Sequence, residues 1–388
     1  MLCPSGPAIR PSAPGPHARR APAPPPSLAD PDVARDPYPL YRTLRDAHPL
    51  FEDEPFGAWL LSRYVDVRAA LTDPRMVAPP SGRDSAHLEE ATRTAHHALA
   101  SPALQGRALA ALKAGADRTA HVLARRLSSR READLVEEFC HWLPAAAVVA
   151  ALGLPHEDTA RVTDWCRTGP ARRGAVPAGL GVFLRPHVVR RRAEPRNDLL
   201  SVLCAARADG RPLSDDAVTG VVANLLDAGG EATDRALASL LANLLDHPAQ
   251  LALLRSRPDL AGAAWAESLR HDPAVHIVLR RALAPVAVSG GTIPAGATVA
   301  CLVGSAGRDA DRFTDPDRYD MFRAAPGRQA FGAALSEGLC TQLARLTAES
   351  GLYALLDALP GVSWAPGFRP VPEGLLTRSP AALHVRLS

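Results

Sequence analysis

Three groups of residues in this chain have types and spacing that could do chemistry. The stretch "FGAALSEGLCTQLAR", Phe331 to Arg345, reads as a loop entering a helix, with one thiol, Cys340, placed to meet a metal. Glu267 and Arg270 in "ESLR" stand three apart, the spacing of an ion pair along one helix face. Glu231, inside an otherwise apolar run, is a carboxylate that burial would turn into a general acid or base, because desolvation raises its pKa. Other chemistries are absent from the pattern. The thirteen His show no metal-ligand spacing, and the six Cys form no CxxC or zinc pattern. "GGTIPAG" has too few glycines for a phosphate loop, and Ser336 has neither a base partner nor a nucleophile-elbow context.

These residues must be positioned by mostly helical elements. "DPYPLYRTLRDAHP" carries Tyr38, Leu40, Tyr41 and Leu44 at helical spacing, "GAWLLSRY" reads as a strand, and "YVDVRAALTDP" as a short helix stopped at Pro74. A mostly helical region runs from about Leu88 to Leu154, ending in "LVEEFCHWLPAAAVVAALGLP". The longest helical pattern, Leu213 to Pro248, predicts one helix through the core, capped by Ser214 with Asp215 and Asp216 behind it. "LAGAAWAESLR" is a further helix, "VAVSGGTIPAGATVACLV" two short strands, and "TQLARLTAESGLYALLDAL" a helix before a strand-like tail. The class is mainly α with a minor β portion.

Composition sets limits on function. Of 388 residues 47% are hydrophobic and 22% charged, and the formal charge is only +3. Lys113 is the sole lysine, and no basic block points to nucleic acid. No run is apolar and long enough to span a bilayer, and the Pro/Ala-rich start lacks an export signal. The expectation is a cytoplasmic protein with no nucleic-acid or membrane partner. Residues 1–30 are expected as a disordered leader and 31–388 as a single domain.

From Asp36 onward the chain resembles the bacterial cytochromes P450, in segment order as well as motif. "AGGEATD" (Ala228–Asp234) resembles the oxygen-binding kink of the family's long central helix, and Glu267–Arg270 its ExxR signature. "RRALAPVAVSGGTIPAGATV" resembles the strand region that follows, and "GRDADRFTDPDRYDMFR" the meander before the haem loop. The resemblance implies a P450-like fold, a buried structural ion pair at Glu267 and Arg270, and Arg280 as a haem-propionate ligand.

The haem loop departs from the family. Phe331-Gly332 anchors one end and Leu343-Ala344-Arg345 the other, with no gap between. In that register the loop glycine is Ala334, the propionate-binding position is Ser336, the thiolate position is Gly338 and the last glycine is Cys340. Glycine supplies no thiolate to push electron density into O–O cleavage. Cys340 lies two residues on, rotated by roughly 200° about a helix axis. After the acid Glu231 comes Ala232, and Thr233 is one place late for the family's proton-delivering threonine. The loop over the substrate and the lid region from Trp165 to Arg190 are short for the family. The residues thus mark a vestigial haem site with no cofactor and no metal.

This pattern resembles the haem-free P450-like auxiliary proteins that bind and activate glycosyltransferases of polyketide antibiotic biosynthesis in actinomycetes. The implied function is therefore non-catalytic, with a glycosyltransferase as partner. Two alternatives stay open: a haem monooxygenase with a remodelled loop and Cys340 as ligand, or a haem-independent acid–base catalyst using Glu231.

Overall fold

The computed structural model describes residues 25–79, 107–168, 178–208, 210–324 and 339–387. Eight helices make up most of the helical layer: α1 (Arg107–Leu127), α2 (Leu143–Ala151), α3 (Thr159–Thr168), α4 (Leu180–Ala193), α5 (Asp215–Gly229), α6 (Glu231–Asp246), α7 (Ala261–His271) and α8 (Leu339–Ala358). A five-stranded sheet lies to one side, built from β1 (Leu50–Asp53), β2 (Ala58–Leu61), β3 (Met76–Val77), β4 (Ile277–Ala282) and β5 (Thr298–Leu302). Its order is β1-β2-β5-β4-β3, antiparallel except where β2 meets β5.

Each element follows from its residues. On β5 the alternation of a strand sends Val299 and Cys301 to one buried cluster and Ala300 and Leu302 to another. The main helical core joins Leu237, Leu240 and Leu244 of α6 to Trp265 of α7 and Leu352 and Leu355 of α8. A second cluster packs Val148 of α2 and Leu184 of α4 against Val218, Val222 and Leu225 of α5. Ser214 caps α5 as its sequence predicts, its Oγ accepting from the Ala217 amide at 3.1 Å. The helices at Tyr38–Ala47 and Tyr64–Thr72 stand where expected.

Three expectations are corrected. The single long helix predicted from Leu213 to Pro248 is two, because Gly230 breaks it with φ −87° and ψ −92°. A Cβ there would sit 2.5 Å from the Leu226 carbonyl oxygen and 2.7 Å from Cβ and Sγ of Cys166 on α3. The stretch from Leu135 is helical, as expected, in two parts. It forms a π-turn at Val136–Cys140, and α2 begins only beside Pro144, a residue suited to a helix start. The strand region holds three strands, not two: Val286–Val288, Gly291–Ile293 and β5, since Gly290 and Gly291 take positive φ in a tight hairpin. Finally, packing begins inside the expected leader, where Leu28 is fully buried and the Asp53 carboxylate accepts from its amide at 2.7 Å and from Ser27 at 2.6 Å.

One network fixes α7 to the coil that follows the sheet. Glu267 and Arg270 are each 1% exposed and pair through two hydrogen bonds, of 2.8 and 2.7 Å. Arg270 also donates to the carbonyls of Gly307 and Pro316 at 2.7 Å and of Arg318 at 3.0 Å. Arg323 joins Glu267 at 3.1 Å and binds the Thr314, Asp315 and Arg318 carbonyls, and the Asp320 amide donates to Glu267 at 3.0 Å. The coil from Gly307 to Arg323 is thus held by two guanidinium groups around one carboxylate.

At the entry to β4, His276 is fully buried between two tyrosines, with its Nδ1 3.1 Å from the Tyr41 hydroxyl and its Nε2 3.3 Å from that of Tyr38. Tyr38 in turn donates to Asp272 at 2.7 Å. Burial lowers the His276 pKa to about 3, the nearby Arg378 and Arg308 adding to the effect, and burial also drives His271 well below its ordinary value.

Two stability predictions result. Glu267→Gln leaves the Arg270 charge buried without its counter-ion, which costs roughly 3–5 kcal/mol; urea unfolding measures it, and a loss under about 1 kcal/mol would show that carbonyls alone suffice. His276 is neutral in the fold but takes up a proton on unfolding below a pKa of about 6.5. The unfolded state therefore binds more protons between pH 3 and 6.5, and stability falls as pH drops through that window, by up to about 1.4 kcal/mol per pH unit for His276, with His271 acting in the same direction. His276→Gln should make the slope shallower by about one proton; an unchanged slope from pH 4 to 6 would refute this.

Candidate functional site

The candidate site lies where the α5–α6 break, β4 and the start of α8 would surround a haem group. The fold places some of its residues and not others. Glu231 is the first residue of α6, directly after the break at Gly230. Its side chain lies outside the described residues. Thr233 is 1% exposed, and its hydroxyl has no hydrogen-bond partner among the described residues. Asp234 lies 2.9 Å from Nδ1 of His141, which ties the first turn of α6 to the end of the π-turn. Cys166 closes against Gly230 from α3, so the break is set by packing from the lid side as well as by glycine itself.

Arg280 stands on β4, half-buried, opposite Val299 of β5. Among the described residues its only hydrogen bond is to the Leu279 carbonyl, at 3.1 Å, and it has no ion pair. Its guanidinium therefore has no acid partner among the described residues. Ala334, Ser336 and Gly338 lie outside the described residues. Cys340 is the second residue of α8, with its side chain also outside them. Glu267 and Arg270 meet in the buried network above, away from any reacting group. Arg323 and Asp320 complete that network; the sequence showed the meander that carries them, but nothing in it marked Arg323 as the second cation.

Among the described residues no thiol is placed as a haem ligand. Gly338 stands at the ligand position implied by the family resemblance, and the described thiols Cys140, Cys166, Cys204 and Cys301 are buried and form no disulfide. Burial holds the Cys140 and Cys204 thiols above their ordinary pKa and pushes Cys301 up to about 12, against a small opposing pull from Arg280. These are packed, protonated thiols rather than ligands. Arg280 alone matches what a haem would need. No group of three or more His, Cys, Asp or Glu among the described residues could hold a metal ion, and no described helix is long and apolar enough to cross a membrane.

The cytochrome P450 family model matches residues 259–333, from the run into α7 through the meander, and stops one residue before Ala334. Nocardicin C N-oxygenase of Nocardia uniformis subsp. tsuyamanensis is 34% identical, covering 91% of this chain and 96% of that protein. The cytochrome P450 monooxygenase PikC of Streptomyces venezuelae is 31% identical over 86% of both. Among solved structures, cytochrome P450 CYP109Q5 of Chondromyces apiculatus superposes with a TM-score of 0.79 at 28% identity, covering 93% of this chain and 98% of that one. A variant of the mixed-function P450 MycG bound to mycinamicin IV gives 0.75 at 28%, covering 89% and 95%. With the ExxR network, the broken central helix and near full-length relatives agreeing, this chain belongs to the cytochrome P450 family.

Proposed function

We propose that this P450 does no haem–thiolate chemistry and acts in secondary metabolism as an auxiliary protein, binding and activating a glycosyltransferase of polyketide antibiotic assembly. The observation that carries the reading is Gly338 at the position where the family places its thiolate, in a loop anchored without a gap at both ends. Three further features support it: Ala334 and Ser336 at the other loop positions, the alanine after Glu231, and the shortened lids. What remains well built is scaffold. A partner that binds only the folded, competent transferase stabilises it by about 2.7 kcal/mol at a hundredfold excess over Kd. That is enough to shift a marginal population towards activity without any reaction on this chain.

A second reading is favoured by the relatives, whose names are those of oxidising enzymes: a monooxygenase, an N-oxygenase and a cyclomarin C epoxidase of Salinispora arenicola. On that reading Cys340 ligates haem after a two-residue slip of the loop, against the intact Leu343-Ala344-Arg345 anchor.

Two measurements separate them. Protein expressed with a haem precursor should show no stoichiometric Soret band, and no thiolate-type shift with dithionite and CO; a full-occupancy band with that shift would establish the second reading. A deoxysugar glycosyltransferase from the same strain should gain soluble yield and turnover when co-expressed with this chain. Equal yield and turnover with and without it would end the auxiliary reading.

A further inference from the structure

Between the end of α1 and the strand Glu132–Asp134 the chain makes a two-residue turn, Ser128-Ser129. Four arginines crowd it. Arg125 and Arg126 lie in the last turn of α1, and Arg130 and Arg131 directly follow the serines. All six residues are exposed. Arg130 forms an ion pair with Glu138 of the π-turn, whereas Arg125, Arg126 and Arg131 have none among the described residues. The acids that follow are largely taken up: Asp134 accepts from the Val136 and Leu383 amides, and Glu138 from Arg130 and the Asp134 amide.

A helix end accounts for half of this charge. Cations in the last turn complement the negative end of the α1 dipole, which explains Arg125 and Arg126. Arg130 and Arg131 lie beyond that end, where four like charges in a short run repel one another and one carboxylate, Glu138, answers them. The two serines occupy the centre of the run. Their hydroxyls are not equivalent: Ser128 Oγ donates to the Arg125 carbonyl at 2.8 Å, while Ser129 Oγ reaches the Arg126 carbonyl only at 3.5 Å. Ser129 is therefore the freer nucleophile, with cations on both sides of it.

We infer that Ser129 is a phosphorylation site for an arginine-directed, ATP-dependent serine kinase, and that the phosphate loosens the π-turn. In the transfer, Ser129 Oγ gives its proton to the kinase's base and attacks the γ-phosphorus of ATP. The Oγ–P bond forms, the bond from that phosphorus to the bridging β-phosphate oxygen breaks, and phosphoserine and ADP result. Arg125 and Arg126, exposed and unpaired ahead of the serine, suit a kinase groove lined with carboxylates. Once formed, the phosphate carries a charge of about −1.5 to −2 beside Arg130 and outcompetes the single charge of Glu138 for that guanidinium. Glu138 then keeps only the Asp134 amide, at 3.3 Å. The same dianion opposes the negative end of α1. The π-turn so released leads into His141, which holds Asp234 in the first turn of α6. The inference is independent of the auxiliary and the oxidising readings alike.

The test incubates the full chain with ATP and an extract of the strain that encodes it, and locates phosphate by peptide mass spectrometry, with chain isolated from the same culture alongside. One phosphate should appear on Ser129, be absent from Ser129→Ala and persist in Ser128→Ala. Both serines are exposed, so both variants should keep their thermal midpoint. Arg126→Ala should slow incorporation at least fivefold, and an unchanged rate would leave that arginine as a dipole partner alone and overturn the recognition. Backbone hydrogen exchange over residues 128–141 should run at least threefold faster in the phosphorylated chain; equal exchange would overturn the loosening. If neither the incubated nor the isolated chain carries phosphate on Ser129, or if incorporation is the same in Ser129→Ala, the site itself is refuted.

Discussion

Two arginines share one buried carboxylate at Glu267, and most of the coil between the sheet and α8 hangs from that arrangement. A carboxylate and a guanidinium taken out of water cost several kcal/mol each, and their attraction offsets this only if the remaining donors and acceptors are also met. Arg270 meets the condition by spending its other N–H groups on three backbone carbonyls, and Glu267 by accepting from Arg323 and the Asp320 amide. The arrangement is rigid because it is complete. Removing Glu267 or Arg270 leaves a buried charge without its counter-ion, so the network tolerates change around that pair far better than change within it.

This separates the energetics of the fold from those of haem chemistry. Among the described residues the network's bonds join α7 to the coil between Gly307 and Arg323, and the hydrophobic clusters are assembled from the helices and the sheet. A chain of this family can therefore lose its thiolate and still pack its core. The converse does not hold, since a broken Glu267–Arg270 pair would loosen the meander that leads into the loop. The order of tolerance matches what this sequence has kept and what it has lost.

Much of the fold was legible because its signals are local. Ser214 before two aspartates is a local helix-start signal, and Glu267 with Arg270 has the local spacing of a helix-face ion pair, although its burial was implied by the family resemblance rather than by spacing. The misses share a physical cause. The apolar pattern runs on through Gly230, so periodicity reads one helix; the break depends on Cys166, more than sixty residues earlier in the chain. Gly290-Gly291 reads as a plain turn until both positive φ values place a third strand beside it. Leu28 sits in a Pro/Ala-rich stretch, and its burial depends on distant partners, the Asp53 carboxylate that accepts its amide and the cluster with Leu40, Tyr41 and Leu60. Within the site, the reading of Gly338 rests on the two sequence anchors alone, because the loop lies outside the described residues. The state of Arg280 needed the sheet: there its guanidinium donates to the Leu279 carbonyl and has no ion pair among the described residues.

The approach of α2 to α1 left no trace in the sequence for a related reason. Arg118, Val122 and Arg126 fall on the solvent side of a helix whose inner face, Ala116, Ala120 and Ala124, carries the visible period. The small residues Gly115 and Ala150 set the distance between the two helices, because larger side chains would prise them apart. Alanine-rich packing in the helical layer thus closes the core beneath α1 and sets how near α2 stands to it.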